Sequence, residues 1–114
     1  MSEATSVLQQ LMAVIADRKL KLPEKSYTTR LFNGGTAKIG EKILEEAAEV
    51  VEAADEAGEE GRAHLIREAA DLVYHLFVML GFRDIELAEV EAELARRFGI
   101  SGLDEKAARG SSPP

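Results

Sequence analysis

Residues 62–82 read R-A-H-L-I-R-E-A-A-D-L-V-Y-H-L-F-V-M-L-G-F, and this stretch decides the fold. Its apolar side chains occur nearly all the way round a helical wheel, which predicts a long helix over about residues 62–80 that is buried on most sides. The polar exceptions share one narrow stripe at spacings of four, three and four residues, namely His64, Glu68, Asp71 and His75. Charged groups on one stripe of a buried helix need protein partners, a metal ion or water.

A second long helix with a broad apolar face is predicted just before the first, over about residues 37–57. Glu46 lies at the edge of that face and Glu49 follows three residues later, so both carboxylates point to one place. If the two helices face each other, this pair meets Glu68 and Asp71. Four converging carboxylates repel one another unless cations lie between them, and hard oxygen ligands suit Mg²⁺ or Mn²⁺. The alternative is that these acids are solvated, because acids at this spacing are common on helix surfaces.

The rest of the chain predicts shorter helices joined by turns. The shorter helices cover residues 3–18, residues 26–32 and a last segment that Asp84 caps and that ends near residues 98–99. Turns are expected at residues 33–36, where Thr36 caps the next helix, at the bend marked by Gly58 and Gly61, and at Gly81, which closes the buried helix. Short connections make neighbouring helices antiparallel, so the predicted fold class is all-α, an antiparallel helical hairpin or bundle. Residues 1–98 form a single domain in this interpretation, and residues 99–114 form a C-terminal tail that is partly disordered.

The composition excludes several classes of protein. The chain has 114 residues, of which 46% are hydrophobic and 31% charged, a balance typical of one small globular domain. It contains no cysteine, which rules out disulfides, thiolate metal sites and thiol nucleophiles. The longest uncharged apolar stretch, residues 72–82, is shorter than the roughly 18 residues that span a bilayer. The N-terminus lacks the positive start of a signal peptide, so we expect a cytoplasmic protein without a membrane partner.

The net charge of −7 is unevenly distributed. Residues 18–42 hold seven of the fourteen basic side chains, whereas residues 41–60 hold nine acids. An acidic surface repels the phosphates of duplex nucleic acid, so we expect no nucleic-acid partner. A basic segment beside an acidic one could instead hold a polyphosphate between lysines and a carboxylate-bound divalent cation. A charged, solvated helix surface is the alternative.

Several motifs in order carry a resemblance to a known family. Residues 45–49 (E-E-A-A-E) and 68–71 (E-A-A-D) match the EExxE…ExxD signature of the all-α, MazG-like nucleoside-triphosphate pyrophosphatases. The chain also contains S-Y-T at residues 26–28, the G-G pair at 34–35 and A-D-L-V-Y-H-L at 70–76. Together these blocks resemble the phosphoribosyl-ATP pyrophosphatase family of histidine biosynthesis over roughly residues 24–98.

The resemblance implies a hydrolase that converts phosphoribosyl-ATP to phosphoribosyl-AMP and pyrophosphate, the second step of histidine biosynthesis, by direct attack of water. The implied metal ligands are Glu46, Glu49, Glu68 and Asp71, which also count as catalytic residues together with Glu45. Glu45 is expected to orient or deprotonate the attacking water, while the cation, Mg²⁺ or Mn²⁺, neutralises the phosphates and activates that water. The expected substrate-binding residues are Arg30, Gly34, Gly35, Lys38, Lys42 and His75, although a plain turn for the glycines and a core position for His75 are alternatives.

The family forms a helical homodimer, which implies that dimerisation completes this bundle by covering apolar surface that a thin hairpin leaves exposed. Tyr74 is then a core or dimer-interface residue, and His64 is a surface residue. Two other functions stay open. One is a house-cleaning, MazG-like pyrophosphatase that acts on other nucleoside triphosphates, and the other is a non-enzymatic helical interaction module.

Overall fold

The computed structural model describes residues 6–98, and within this range the chain forms four helices and no strand. Helix α1 spans Val7–Lys21, α2 spans Tyr27–Ala54, α3 spans Gly58–Phe82 and α4 spans Leu87–Phe98. The predicted all-α fold class is therefore confirmed. None of these helices combines the length and the hydropathy needed to cross a membrane. The predicted C-terminal tail and the first residues of the chain lie outside the described range.

Helices α2 and α3 form the main hairpin, and α1 packs across both. Three residues connect α2 to α3, which makes the two long helices antiparallel neighbours. The core between the helices consists of Met12, Ile15, Leu31, Phe32, Ile39, Phe77, Val78 and Leu87. All but one of these side chains come from the three longest helices, so their apolar stripes set how α1, α2 and α3 lie together.

The starts of α1 and α2 follow ordinary capping chemistry. The Ser6 hydroxyl accepts a hydrogen bond from the Gln9 amide at 3.1 Å, and the Gln9 side chain accepts one from the Ser6 amide at 2.9 Å. This capping box satisfies two amides that a helix start otherwise leaves unpaired. At α2, the Ser26 hydroxyl accepts from the Thr29 amide at 3.2 Å. The break predicted at Pro23 is present, because the two helices are separate there.

The predicted turn at residues 33–36 is a kink inside α2. Only Gly35 departs from helical geometry there, with φ 68° and ψ −162°, and the helix continues on both sides. This region of backbone space is open essentially to glycine alone. The Phe32 and Phe82 rings stack beneath the kink with centroids 6.4 Å apart. The separate helix predicted to begin at Thr36 is therefore the second half of α2, because one glycine changes the chain direction without a loop.

Two glycines predicted to bend or end helices instead lie inside α3. The helix begins at Gly58 rather than near Arg62, and Gly61 is buried where a Cβ atom would overlap the main chain of Glu56. Gly81 does not close the helix, which continues to Phe82, and a Cβ there would lie 2.8 Å from Ile15 Cγ2. Both positions need the small residue for close packing, so these glycines do not act as helix breakers.

The predicted cap at Asp84 is wrong, because α4 begins three residues later, at Leu87. The Asp84 carboxylate instead accepts a hydrogen bond from Lys19 Nζ at 2.7 Å, and the same ammonium donates to the main-chain oxygen of Phe82 at 2.8 Å. Asp84 therefore attaches the end of α3 to α1. The Asp84 carboxylate thus takes part in a tertiary ion pair and does not cap a helix.

We expect Gly35→Ala to lower the free energy of unfolding by about 1–3 kcal/mol, because alanine must adopt a backbone conformation reserved for glycine. Gly40→Ala is the matched control on the same helix. A Cβ at position 40 meets only Met79 Cε at 3.9 Å, so alanine should stabilise the protein by up to about 1 kcal/mol. Urea denaturation of both variants checks the pair, and equal effects would contradict a strained kink.

Candidate metal centre

Three of the four predicted carboxylates converge between α2 and α3. Glu46 from α2 and Glu68 and Asp71 from α3 each offer an oxygen atom, and these atoms all lie within 4.8 Å of one another. Glu46 is buried, Glu68 is half-buried and Asp71 is exposed, so the cluster opens to solvent at the Asp71 side. Divalent cations favour carboxylate oxygen ligands of this kind. The facing geometry that the helical wheel predicted is thus present.

The fourth carboxylate, Glu49, lies at the rim of this cluster and is exposed. A hydrogen bond shared with Glu68, together with the negative charge of Glu68, raises the pKa of the Glu49 carboxyl. A raised pKa means that the folded protein holds a proton here more tightly than a free carboxyl would. The hydrogen bond places the Glu49 carboxyl beside that of Glu68.

Two oxygens of the cluster lack hydrogen bonds within the described chain, namely Glu46 Oε1 and Glu68 Oε1, and both are buried. Nδ1 of His75 contacts Glu46 Oε1 and also lies 2.9 Å from the main-chain oxygen of Asp71, so a single N–H faces two acceptors. Buried carboxylate oxygens without donors are costly. A divalent cation is the kind of partner that satisfies both at once.

His75 is buried among residues from both halves of α2. Its Nε2 atom lies 2.8 Å from the Tyr27 hydroxyl. Because the Asp71 carbonyl can only accept, Nδ1 carries a proton and donates to it, while Nε2 pairs with the Tyr27 hydroxyl. These contacts connect His75 to Tyr27, Asp71 and Glu46. The substrate-binding role expected for His75 stays a prediction.

Tyr74 also faces the inside of the hairpin. Its hydroxyl pairs with Thr28 Oγ1, its ring stacks on Tyr27 with centroids 6.2 Å apart, and it meets His75 edge-on. The sequence predicts either a core or a dimer-interface position for Tyr74, and its contacts within the described chain are those of a core residue. Tyr74 and His75 together attach the segment before the Gly35 kink to α3.

The predicted basic residues lie around Tyr27 and along α2. The Arg30 guanidinium lies over the Tyr27 ring at 5.7 Å, and Lys42 pairs with Glu45 at 3.2 Å. Partial burial raises the pKa of Tyr27, and the nearby positive charge of Lys42 opposes that shift. The hydrogen bond to Glu45 raises the pKa of Lys42, which therefore stays protonated. Arg30 and Lys42 thus place two positive charges near Tyr27. Tyr27 in turn contacts His75, which contacts Glu46.

The other predicted substrate-binding residues occupy the neighbourhood of the kink. Lys38 pairs with Glu41 at 3.6 Å on the exposed side of α2. A Cβ atom at Gly34 would overlap the Lys38 side chain, while Gly35 forms the kink itself. The structure thus places all three on α2 within eight residues of Lys42. Both glycines have a packing or backbone reason to be glycine.

One contact to the cluster was not predicted from the sequence. His64, expected on the surface, is half-buried, with Nε2 at 3.3 Å from Glu68 Oε2 and Nδ1 at 3.0 Å from Glu56 Oε1. The hydrogen bond to Glu56 raises the pKa of His64. The i, i+4 spacing of His64 and Glu68 on one stripe was the available signal, whereas the contact to Glu56 depends on the turn between the helices.

Comparisons with known proteins agree on one family. The family model described as phosphoribosyl-ATP pyrophosphohydrolase matches residues 8–98. A phosphoribosyl-ATP pyrophosphatase from Rhodopirellula baltica is 56% identical over 109 residues, which cover 96% of this chain and 91% of the relative. Proteins of the same name from Dinoroseobacter shibae and Paramagnetospirillum magneticum are 55% and 48% identical, over 91% and 96% of this chain and 99% and 97% of their own lengths.

The match extends from the first turn of α1 to the end of α4 and includes every carboxylate of the cluster. The resemblance read from residues 24–98 is confirmed and extends further toward the N-terminus. The chain shares this identity along nearly its whole length, and its helices bring the EExxE and ExxD motifs face to face. These findings lead to one assignment. This chain belongs to the phosphoribosyl-ATP pyrophosphohydrolase family.

Proposed function

We propose that this protein hydrolyses phosphoribosyl-ATP between its α- and β-phosphates, giving phosphoribosyl-AMP and pyrophosphate, as the second step of histidine biosynthesis. The observation that carries the proposal is the convergence of Glu46, Glu68 and Asp71 within a chain that matches the family along residues 8–98. A biosynthetic enzyme of this kind fits a cytoplasmic location. The proposal makes the carboxylate cluster the catalytic centre.

The residues of the cluster suit a divalent cation. Glu46 Oε1 and Glu68 Oε1 are buried without hydrogen bonds in the described chain, and carboxylate oxygens are the ligands that Mg²⁺ and Mn²⁺ prefer. We assign Glu46, Glu49, Glu68 and Asp71 as the ligands and Mg²⁺ as the resident ion, with Mn²⁺ as a substitute. When bound, the ion supplies charge neutralisation at the phosphates and activation of water.

The chain's own side chains have separate roles in this proposal. Lys42, Lys38 and Arg30 bind phosphate oxygens, since ammonium and guanidinium groups form strong hydrogen bonds to phosphate. Gly34 and Gly35 let the α2 backbone approach the substrate. Glu45, which is half exposed beside Lys42, orients the attacking water and accepts its proton. His75 either orients Tyr27, which then meets the substrate, or holds Glu46 in place.

We propose that the active form is a homodimer. The long hairpin exposes four large apolar side chains to solvent: Leu44 at 73%, Val51 at 67%, Ile66 at 57% and Leu76 at 45%. Exposed apolar surface of this extent on one pair of helices is typical of a protein interface. A second copy of the same hairpin covers it and completes the bundle.

The function is tested by measuring pyrophosphate release from phosphoribosyl-ATP, with and without EDTA, beside a panel of ordinary and noncanonical nucleoside triphosphates. Activity should require the metal and favour phosphoribosyl-ATP. Glu49→Gln and Asp71→Asn should each lower kcat/KM by more than about tenfold, which is ~1.4 kcal/mol, while the protein stays folded. Glu52→Gln removes the same charge one turn beyond Glu49 and should change little. Preference for another triphosphate would support the house-cleaning alternative, and no turnover at all would support the interaction module.

The role of Lys42 is tested by Lys42→Ala. If its ammonium binds substrate phosphate, kcat/KM should fall by about tenfold or more while metal affinity stays nearly constant. If Lys42 serves only as a counter-ion of Glu45, the variant should keep its kinetics and lose at most about 0.5 kcal/mol of stability, as for other exposed i, i+3 pairs. Steady-state kinetics and thermal melting of the same preparation separate these results.

The dimer is tested by sedimentation velocity. The wild-type protein should sediment as a dimer, and Val51→Glu should sediment as a folded monomer because a charge is costly in a buried apolar interface. Glu52→Gln, at the adjacent position, is the control and should remain dimeric. A monomeric wild-type protein at micromolar concentration would refute the proposed assembly.

A further inference from the structure

His64 occupies a position that the proposed reaction does not use. It lies one helical turn before Glu68 on the same face of α3, and its Nε2 atom is 3.3 Å from Glu68 Oε2. Only one of the two oxygens of Glu68 is engaged in this way. The other, Oε1, is buried and receives no hydrogen bond within the described chain.

The ring of His64 is itself held from the opposite side. Nδ1 lies 3.0 Å and 3.1 Å from the two carboxylate oxygens of Glu56, which belongs to the turn between α2 and α3. That turn is pressed against α3 because Gly61 has no side chain, so the main chain of Glu56 can approach the helix. The order of contacts is therefore Glu56, His64, Glu68, from the turn between α2 and α3 to a carboxylate of the cluster.

We propose that His64 is a positioning residue: it holds Glu68 Oε2, anchored by Glu56, and so presents Oε1 as the oxygen that binds the divalent cation. This inference rests on the proposed metal site. A carboxylate that is free to rotate must lose that freedom when it binds a cation, whereas one held by an ion-pair contact is already oriented. Residues that orient metal ligands in this way change metal affinity by about 10–100-fold when they are replaced.

If His64 positions Glu68, His64→Ala should weaken cation binding. If the ring acted only through its positive charge, the same change would tighten cation binding, because a protonated histidine beside carboxylates repels a divalent cation. Glu56 offers a second discrimination, because Glu60 carries the same charge and lines the same surface depression. If only charge matters, Glu56→Gln and Glu60→Gln should change cation affinity by similar factors. If Glu56 anchors His64, only Glu56→Gln should change cation affinity.

The experiment is calorimetric titration of the full chain with Mn²⁺, in the absence of substrate, with the fold of each variant checked by circular dichroism. We expect His64→Ala to weaken Mn²⁺ binding by about tenfold or more. We expect His64→Gln, which keeps a donor within reach of Glu68, to recover part of that loss. Glu56→Gln should weaken binding by a smaller factor, and Glu60→Gln should match the wild-type protein.

The possible failures differ from one another. Equal or tighter Mn²⁺ binding by a folded His64→Ala variant overturns the positioning role and leaves the metal site intact. Equal effects of Glu56→Gln and Glu60→Gln overturn the anchoring role of Glu56. No measurable Mn²⁺ binding by the wild-type protein overturns the proposed metal site and this inference together. If His64→Ala does not fold, the comparison of His64→Gln, Glu56→Gln and Glu60→Gln decides the question.

Discussion

The close approach of Glu46 and Glu68 between two packed helices is the constraint on which the rest of the structure depends. Carboxylates that lose water and face each other raise the free energy of the folded chain unless other groups compensate. The surrounding residues meet this constraint from two sides, because His75 contacts Glu46 and His64 contacts Glu68. Both histidines come from α3, at the two ends of its polar stripe. The cluster is thus bordered by imidazoles and left open at Asp71.

Much of this arrangement is present in the spacing of residues along two helices. A helix that is apolar on most sides must be buried, and its few polar positions then mark where a partner or ligand lies. The same logic predicts that Glu46 faces Glu68 and Asp71, and the three carboxylates do converge. Helix type and pairing follow from periodicity because burial of apolar stripes dominates the energetics of a small bundle. The ligand roles of these residues stay predictions.

The features that sequence reasoning missed depend on tertiary contacts or on single backbone angles. Glycine is read as a turn or a helix end, yet Gly61 and Gly81 serve close packing inside α3, which only the neighbouring chain can reveal. Asp84 was assigned a local cap and instead pairs with Lys19, which is far away along the chain. His64 was assigned to the surface because its anchor, Glu56, lies across a turn. In each of these cases a contact with another part of the chain prevails over the local preference.

The kink at Gly35 separates two parts of α2 that a continuous helix would lock in phase. In an unbroken helix, each residue is rotated by about 100° from the one before it, so the position of a residue fixes the direction of its side chain. A single non-helical glycine interrupts that register, so Tyr27 and Arg30 face directions that the position of Glu46 does not dictate. The segment before residue 35 can therefore place Tyr27 and Arg30 at an angle of its own, while the carboxylates after it keep their alignment with α3. One helix thus presents two faces whose directions are set separately.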